Sequence, residues 1–156
     1  MEDIVDAVEN FIPNLFRECC RNEKIMKTFS DIFDQPLKFD FKQKHTLEER
    51  ESIYNELFAK CPGKIPIIVE FGNKNKKTLK FLMDYDERIS TLLCKIRASY
   101  KISNTDSIFL MSENNALLMS SQRIGDAYKE NLFQHGHKED FDKIYYLMVY
   151  HENTFG

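Results

Sequence analysis

The stretch "KIPIIVEFGNKNKKTLKFLMDY", residues 64–85, constrains the fold of this chain more than any other. Its first half is a β-branched run that reads as a buried strand. Gly, Asn and Lys then supply turn chemistry, and "TLKFLMDY" returns as a second strand, so the two form a hairpin. Pro66 lacks an N–H and marks either a strand start or an edge with one neighbour missing. A lone hairpin is marginal in water. The flanking sequence must therefore supply further strands and a covering layer.

Both flanks do so. Upstream, Thr46 is a good N-cap with Glu49 three residues on, a capping-box signature. The helix "LEERESIYNELFAKC" places Ile53, Leu57 and Phe58 on one face, and "CPGK" stops it. Downstream, "ERISTLLCKIRASYKI" carries an apolar stripe of Ile89, Leu92, Leu93, Ile96 and Tyr100. "DSIFLM" is a short strand, "SENNALL" a turn and a second short strand, and "RIGDAYKEN" one or two helical turns. "KIYYLMVY" is apolar on both faces and reads as a central strand. Two hairpins with one helix between them make an α+β fold, a ubiquitin-like β-grasp. The N-terminal helices are expected to pack on the open face of the sheet or at one end of it.

Residues 1–40 read as a helical extension and residues 41–156 as the ubiquitin-like domain. Ile4, Val5, Val8, Phe11, Ile12, Leu15 and Phe16 follow helical spacing, interrupted by Pro13. Ile25, Met26, Phe29, Ile32 and Phe33 form a second such set. "DQPLKFDFKQKH" reads as an extended linker.

The chain has 156 residues, 42% hydrophobic and 30% charged, with a net charge of −3. That balance suits a globule with a real core and argues against general nucleic-acid binding. No apolar run approaches the ~20 residues of a membrane span. "MEDIVDAVEN" is too acidic and interrupted for a secretory signal. Cys19, Cys20, Cys61 and Cys94 form no metal-binding spacing and read as reduced thiols, small buried hydrophobes of a cytosolic protein. "HGHKED", with His135 and His137, reads as an exposed loop rather than a metal site. No P-loop, dinucleotide fingerprint or nucleophile elbow is present. The chain is expected to be no enzyme and to need no metal or cofactor.

Four segments carry a resemblance: "HTLEERESIYNELFAKCPGKIPIIVEF", "KFLMDYDERISTLLCKIR", "IGDAYKENL" and "YYLMVYHENTFG". In this order and spacing they resemble the autophagy-related protein 8 family, the GABARAP-like ubiquitin-fold modifiers, over roughly residues 41–156. The resemblance implies that a processing and deconjugating cysteine protease exposes Gly156. Activating and conjugating enzymes then pass its carboxylate to phosphatidylethanolamine on autophagosomal membranes. It implies a cytoplasmic protein with a lipid-anchored pool on autophagosomal or vesicular membranes. The tail is compatible with this route: glycine has no Cβ to block a narrow channel, and "HENT" is polar. Conjugation to a protein lysine, or service as a non-conjugating adaptor or scaffold, are the alternatives.

The resemblance also implies docking of short aromatic-x-x-aliphatic motifs of autophagy receptors as an added β-strand along "TLKFLM". Carried across by position, the aromatic pocket falls on Ile53, Leu57, Pro66, Ile68, Lys80, Leu82 and Ile144. The aliphatic pocket falls on Phe81, Met83, Ile89, Leu92 and Ile96, with Lys64 and Arg97 to meet flanking acidic residues. The same residues would also serve as ordinary core of such a fold. The chain departs from the family pattern at Lys95, where an apolar residue is usual, and at Asp84, where proline is common.

The resemblance does not reach residues 1–40. They read as a helical cap, a partner- or membrane-binding arm, or a joined peptide. "FSDI", Phe29 to Ile32, has the form of the docking motif, and so do "YNEL", "FDKI" and "YLMV". A self-docking arm is one expectation; removing residues 1–36 would then raise affinity for docking peptides.

Overall fold

The computed structural model describes residues 37–72 and 76–151. Gly156 and both amphipathic sets of the extension lie outside these residues. The elements run α1 (Asp40–Lys44), α2 (Leu47–Lys60), β1 (Lys64–Phe71), β2 (Leu79–Asp84), α3 (Ile89–Tyr100), β3 (Ile108–Ser112), β4 (Leu117–Leu118), α4 (Ile124–His135) and β5 (Tyr145–His151).

The sheet order is β2-β1-β5-β3-β4. β1 pairs antiparallel with β2 and parallel with β5, and β5 pairs antiparallel with β3. This is the α+β ubiquitin-like arrangement expected from the order of elements. β5 is central, as its two apolar faces require. β1 is an inner strand despite Pro66. The proline is tolerated because pairing with β5 begins only at Ile67, which partners Tyr145, so no ladder bond is lost on that side.

Alternation along the strands splits the core into two layers. On one face Ile65, Ile67, Val69, Leu147 and Val149 pack with Ile89, Leu92 and Ile96 of α3 and with Ile124 and Tyr128 of α4. On the other, Ile68, Tyr146, Met148 and Tyr150 pack with Phe39 and Phe41, and Ile53 and Tyr54 of α2 flank them. The helices that precede β1 thus cover the otherwise open face of the sheet.

Residues 37–45, expected as extended linker, contain α1. Five residues are too few to hold a helix alone. Its stability comes from Glu70, buried in β1, whose two carboxylate oxygens accept from the N–H groups of Asp40 and Phe41 at 2.7 and 3.0 Å. An anion at a helix N-terminus is favourable, and Phe39 and Phe41 bury beside it.

α2 begins with the expected capping box: Glu49 N–H donates to Thr46 Oγ1, and Thr46 N–H donates to Glu49. Arg50, one turn on, is buried and donates to Asp142 at 2.5 Å. Asp142 also accepts from Ile144 N–H and from the Tyr146 hydroxyl, both at 2.9 Å. Burial first, and then Asp142, push the Tyr146 phenol up. This polar knot fixes α2 to the start of β5.

α4 is longer than expected: it runs three turns, to His135. Gly125 follows its first residue and donates its N–H to Tyr85 O at 2.9 Å; a Cβ there would lie 2.8 Å from that oxygen. His135 is not in an exposed loop but buried, and its Nε2 has no hydrogen-bond partner. Asn131, one turn before it, is buried with neither side-chain atom partnered.

Burial pulls the His135 pKa below its ordinary value of 6.5, helped by Lys138, Lys42 and His137 and opposed by Asp140. The folded state therefore holds the neutral ring, while the unfolded chain takes up a proton as pH falls below 6.5. Stability contributed by the neutral ring is present above that pH and lost below it. Native protein is expected to lose more thermal stability between pH 7.5 and 5.5 than His135→Gln does; equal losses would contradict this.

The cysteines depart from expectation too. Cys61 is half-buried at the end of α2 and Cys94 is exposed on α3, both as free thiols. Cys19 and Cys20 lie outside the described residues.

Candidate functional site: an apolar cavity beside an edge strand

β2 ends the sheet, so one of its edges has no strand neighbour among the described residues. The register pairs Pro66 with Leu82 and Lys64 with Asp84. Pro66 has no N–H to give Leu82, and Asp84 N–H donates to Glu87 at 2.8 Å rather than to β1. Hydrogen-bonding direction alternates along an antiparallel strand. The main-chain groups of Lys80 and Leu82 therefore point outward, where an added strand would find them.

Next to this edge, between α2 and the sheet, lies a cavity of about 320 Å³. Ile53 and Leu57 form its helical wall. Pro66 and Ile68 form its floor with Ile144, and Lys80 and Leu82 its rim on β2. All seven residues carried over for the aromatic pocket thus converge on one space. Ile67 and Phe81 complete the lining, together with Phe41, a residue that sequence reasoning missed. Phe41 reaches the cavity only because α1 folds, and Lys80 Nζ lies 5.5 Å from the centre of its ring. That cation–π contact holds the lysine stem along the rim.

The residues carried over for the aliphatic pocket sit differently. Met83, Ile89, Leu92 and Ile96 are fully buried between β2 and α3, while Phe81 is half-buried at the surface. Lys95, the departure from family pattern, lies over this region, its Nζ 3.5 Å from Met83 Sδ. An incoming aliphatic side chain would meet Phe81 and the Lys95 stem before it met these four.

The flanking cations are placed at different ends of β2. Lys64 is exposed beside Asp84, 4.0 Å from its carboxylate. Arg97 is near the C-terminus of α3 and donates one guanidinium nitrogen to Ser103 O and Asp106 O, at 2.8 and 2.7 Å. Lys76, Lys77 and Lys80 cluster where β2 begins.

The described residues thus form a ubiquitin-like α+β fold with helices before β1 on its second face and an apolar cavity at a strand edge. The family model described as "Autophagy protein Atg8 ubiquitin like" matches residues 49–156. The chain belongs to the autophagy-related protein 8 family. It is 32% identical over 129 residues to autophagy-related protein 8B of Oryza sativa subsp. indica, covering 76% of this chain and 97% of the relative. To autophagy-related protein 8c of Arabidopsis thaliana it is 29% identical over 120 residues, covering 74% and 94%. The crystal structure of Trypanosoma brucei ATG8 superposes with a TM-score of 0.64 at 26% identity. That match covers 77% of this chain and all of the other.

Proposed function

We propose that this chain is a modifier conjugated through the Gly156 carboxylate to phosphatidylethanolamine on autophagosomal membranes, and that its cavity docks receptor peptides. The observation that carries the docking half is the convergence of seven carried-over side chains on a space bordered by a strand edge that has no strand neighbour among the described residues. An aromatic side chain of a motif fills the cavity, and its main chain bonds to Lys80 and Leu82. The motif's aliphatic side chain packs on Phe81. Acidic flanks meet the lysines where β2 begins.

Support for the conjugation half comes from family membership and from a family match that runs through Gly156. No helix among the described residues is long and apolar enough to cross a membrane. A two-chain lipid would hold the domain firmly, because each buried CH₂ contributes about 0.8 kcal/mol. In this reading the protein is the substrate of an activating enzyme, a conjugating enzyme and a cysteine protease, performs no catalysis itself, and cycles between cytoplasm and membrane. The boundary expected at residue 40 moves to the N-terminal side, because Phe39 belongs to the second core layer of the modifier domain and Asp40 begins α1.

The conjugation test incubates the chain with the family's activating and conjugating enzymes, ATP and phosphatidylethanolamine liposomes. Lipidated product is expected. Its absence, while a control modifier reacts, would leave the non-conjugating adaptor. Docking is tested separately: Phe81→Ala with Leu82→Ala should weaken an acidic decapeptide bearing Trp and, three positions on, Leu. The expected loss is about 30-fold, near 2 kcal/mol, as for a central contact pair. Unchanged affinity would refute the assignment of β2 as the docking edge.

A further inference from the structure

The form aromatic-x-x-aliphatic, with Leu, Ile or Val in the last place, occurs four times in the sequence: at Phe29, Tyr54, Phe141 and Tyr146. The fold consumes three of them. Tyr54–Leu57 is helical within α2, and Tyr146–Val149 lies in the central strand. Phe141–Ile144 leads into β5, with Ile144 buried against the second core layer. Phe29–Ile32 lies outside the described residues.

Leu37 and the residues that follow it lie near the β2 edge. Lys38 and Asp40 line a crevice with Glu70, Phe71 and Thr78, so Leu37 enters where β1 ends and β2 begins. One turn later Phe41 lines the cavity itself. Ile32 precedes Leu37 by five residues and Phe29 by eight. At about 3.4 Å per residue these tethers reach roughly 17 and 27 Å. A six-residue strand such as β2 rises about 20 Å, so both side chains can reach the edge and the cavity. The charges are complementary: Asp31 lies within the motif and Asp34 two residues after it, and Lys76, Lys77 and Lys80 stand at the entry end of β2.

We propose that residues 27–36 of this same chain occupy the cavity and the β2 edge when no partner is bound, with Phe29 in the cavity. The segment competes with external peptides. This inference rests on the docking reading above and adds regulation to it. If the segment is seated in nine molecules of ten, apparent affinity for an external peptide falls about tenfold.

The test compares the full native chain with full chains carrying Phe29→Ala plus Ile32→Ala, or Asp31→Lys plus Asp34→Lys. Two fluorescent probes are titrated: the acidic Trp/Leu decapeptide, and a synthetic peptide of residues 27–36. The aromatic-aliphatic variant should bind the decapeptide about tenfold more tightly than the native chain and should bind the 27–36 peptide in trans. The charge-reversal variant should shift in the same direction by a smaller factor. Equal decapeptide affinity for native chain and both variants overturns the inference while docking stands. So does a 27–36 peptide that fails to bind a variant which takes the decapeptide. If the decapeptide binds none of the chains, the docking reading and this inference fall together.

Discussion

Deleting Gly156 is expected to abolish lipid conjugate completely while leaving the domain folded. Among the described residues the buried members of the two core layers run from Phe39 to Tyr150, and a glycine has no side chain to contribute to either. What it removes is a carboxylate carried on a carbon without a side chain. With the glycine gone, Phe155 becomes terminal, and its bulky Cβ substituent must enter whatever channel admits the reacting carboxylate. Adenylation, thioester capture and transfer to the lipid amine would all fail together. The measurement is a conjugation reaction on phosphatidylethanolamine liposomes, read by mass spectrometry, with circular dichroism as the check on folding. Full-yield conjugate from the shortened chain would overturn the assignment of Gly156.

The largest expected effect on stability is at Asp142. Replacing it by alanine strips the buried Arg50 guanidinium of its carboxylate and removes the acceptor of the Tyr146 hydroxyl and of Ile144 N–H. Breaking one side of a buried ion pair costs about 3–5 kcal/mol, a large share of the ~5–15 kcal/mol typical of a domain. Urea denaturation should show that loss. The double variant Arg50→Met with Asp142→Leu should recover much of it, because no unpaired charge then remains. The effect should extend to docking. Arg50, Ile53 and Leu57 lie three and four residues apart on α2, so the knot at Arg50 also sets where the cavity wall stands. If Asp142→Ala leaves urea stability unchanged, the pair does not hold α2 in place.

Much of this arrangement is legible in the sequence, for reasons that differ by element. The hairpin and the central position of β5 follow from apolar runs between turn residues, a local signal that packing reinforces. α2 announces itself through Thr46 and Glu49. The seven residues carried across by position from the family resemblance line one cavity, since a shared fold preserves position. α1 was hidden, since its formation depends on Glu70, 30 residues from Asp40. Phe41 was therefore missed as a cavity residue. The Arg50–Asp142 pair spans 92 residues, and no local pattern signals it. The polar run "NLFQHGHKED" disguised the last turns of α4, where burial of His135 is decided by tertiary contacts rather than by periodicity. Met83, Ile89, Leu92 and Ile96 show the converse limit: apolar spacing reads the same for a pocket lining and for a closed core.

In the proposed docking mode the cavity between α2 and β2 receives the aromatic side chain of a docking motif. The most direct test is titration of the isotopically labelled chain with the acidic Trp/Leu decapeptide, followed by backbone and methyl chemical shifts. The largest changes are expected on Ile53, Leu57, Ile68, Lys80 and Leu82, which surround the cavity. Changes centred instead on the outer surfaces of α3 and α4, with these five residues unmoved, would contradict this mode.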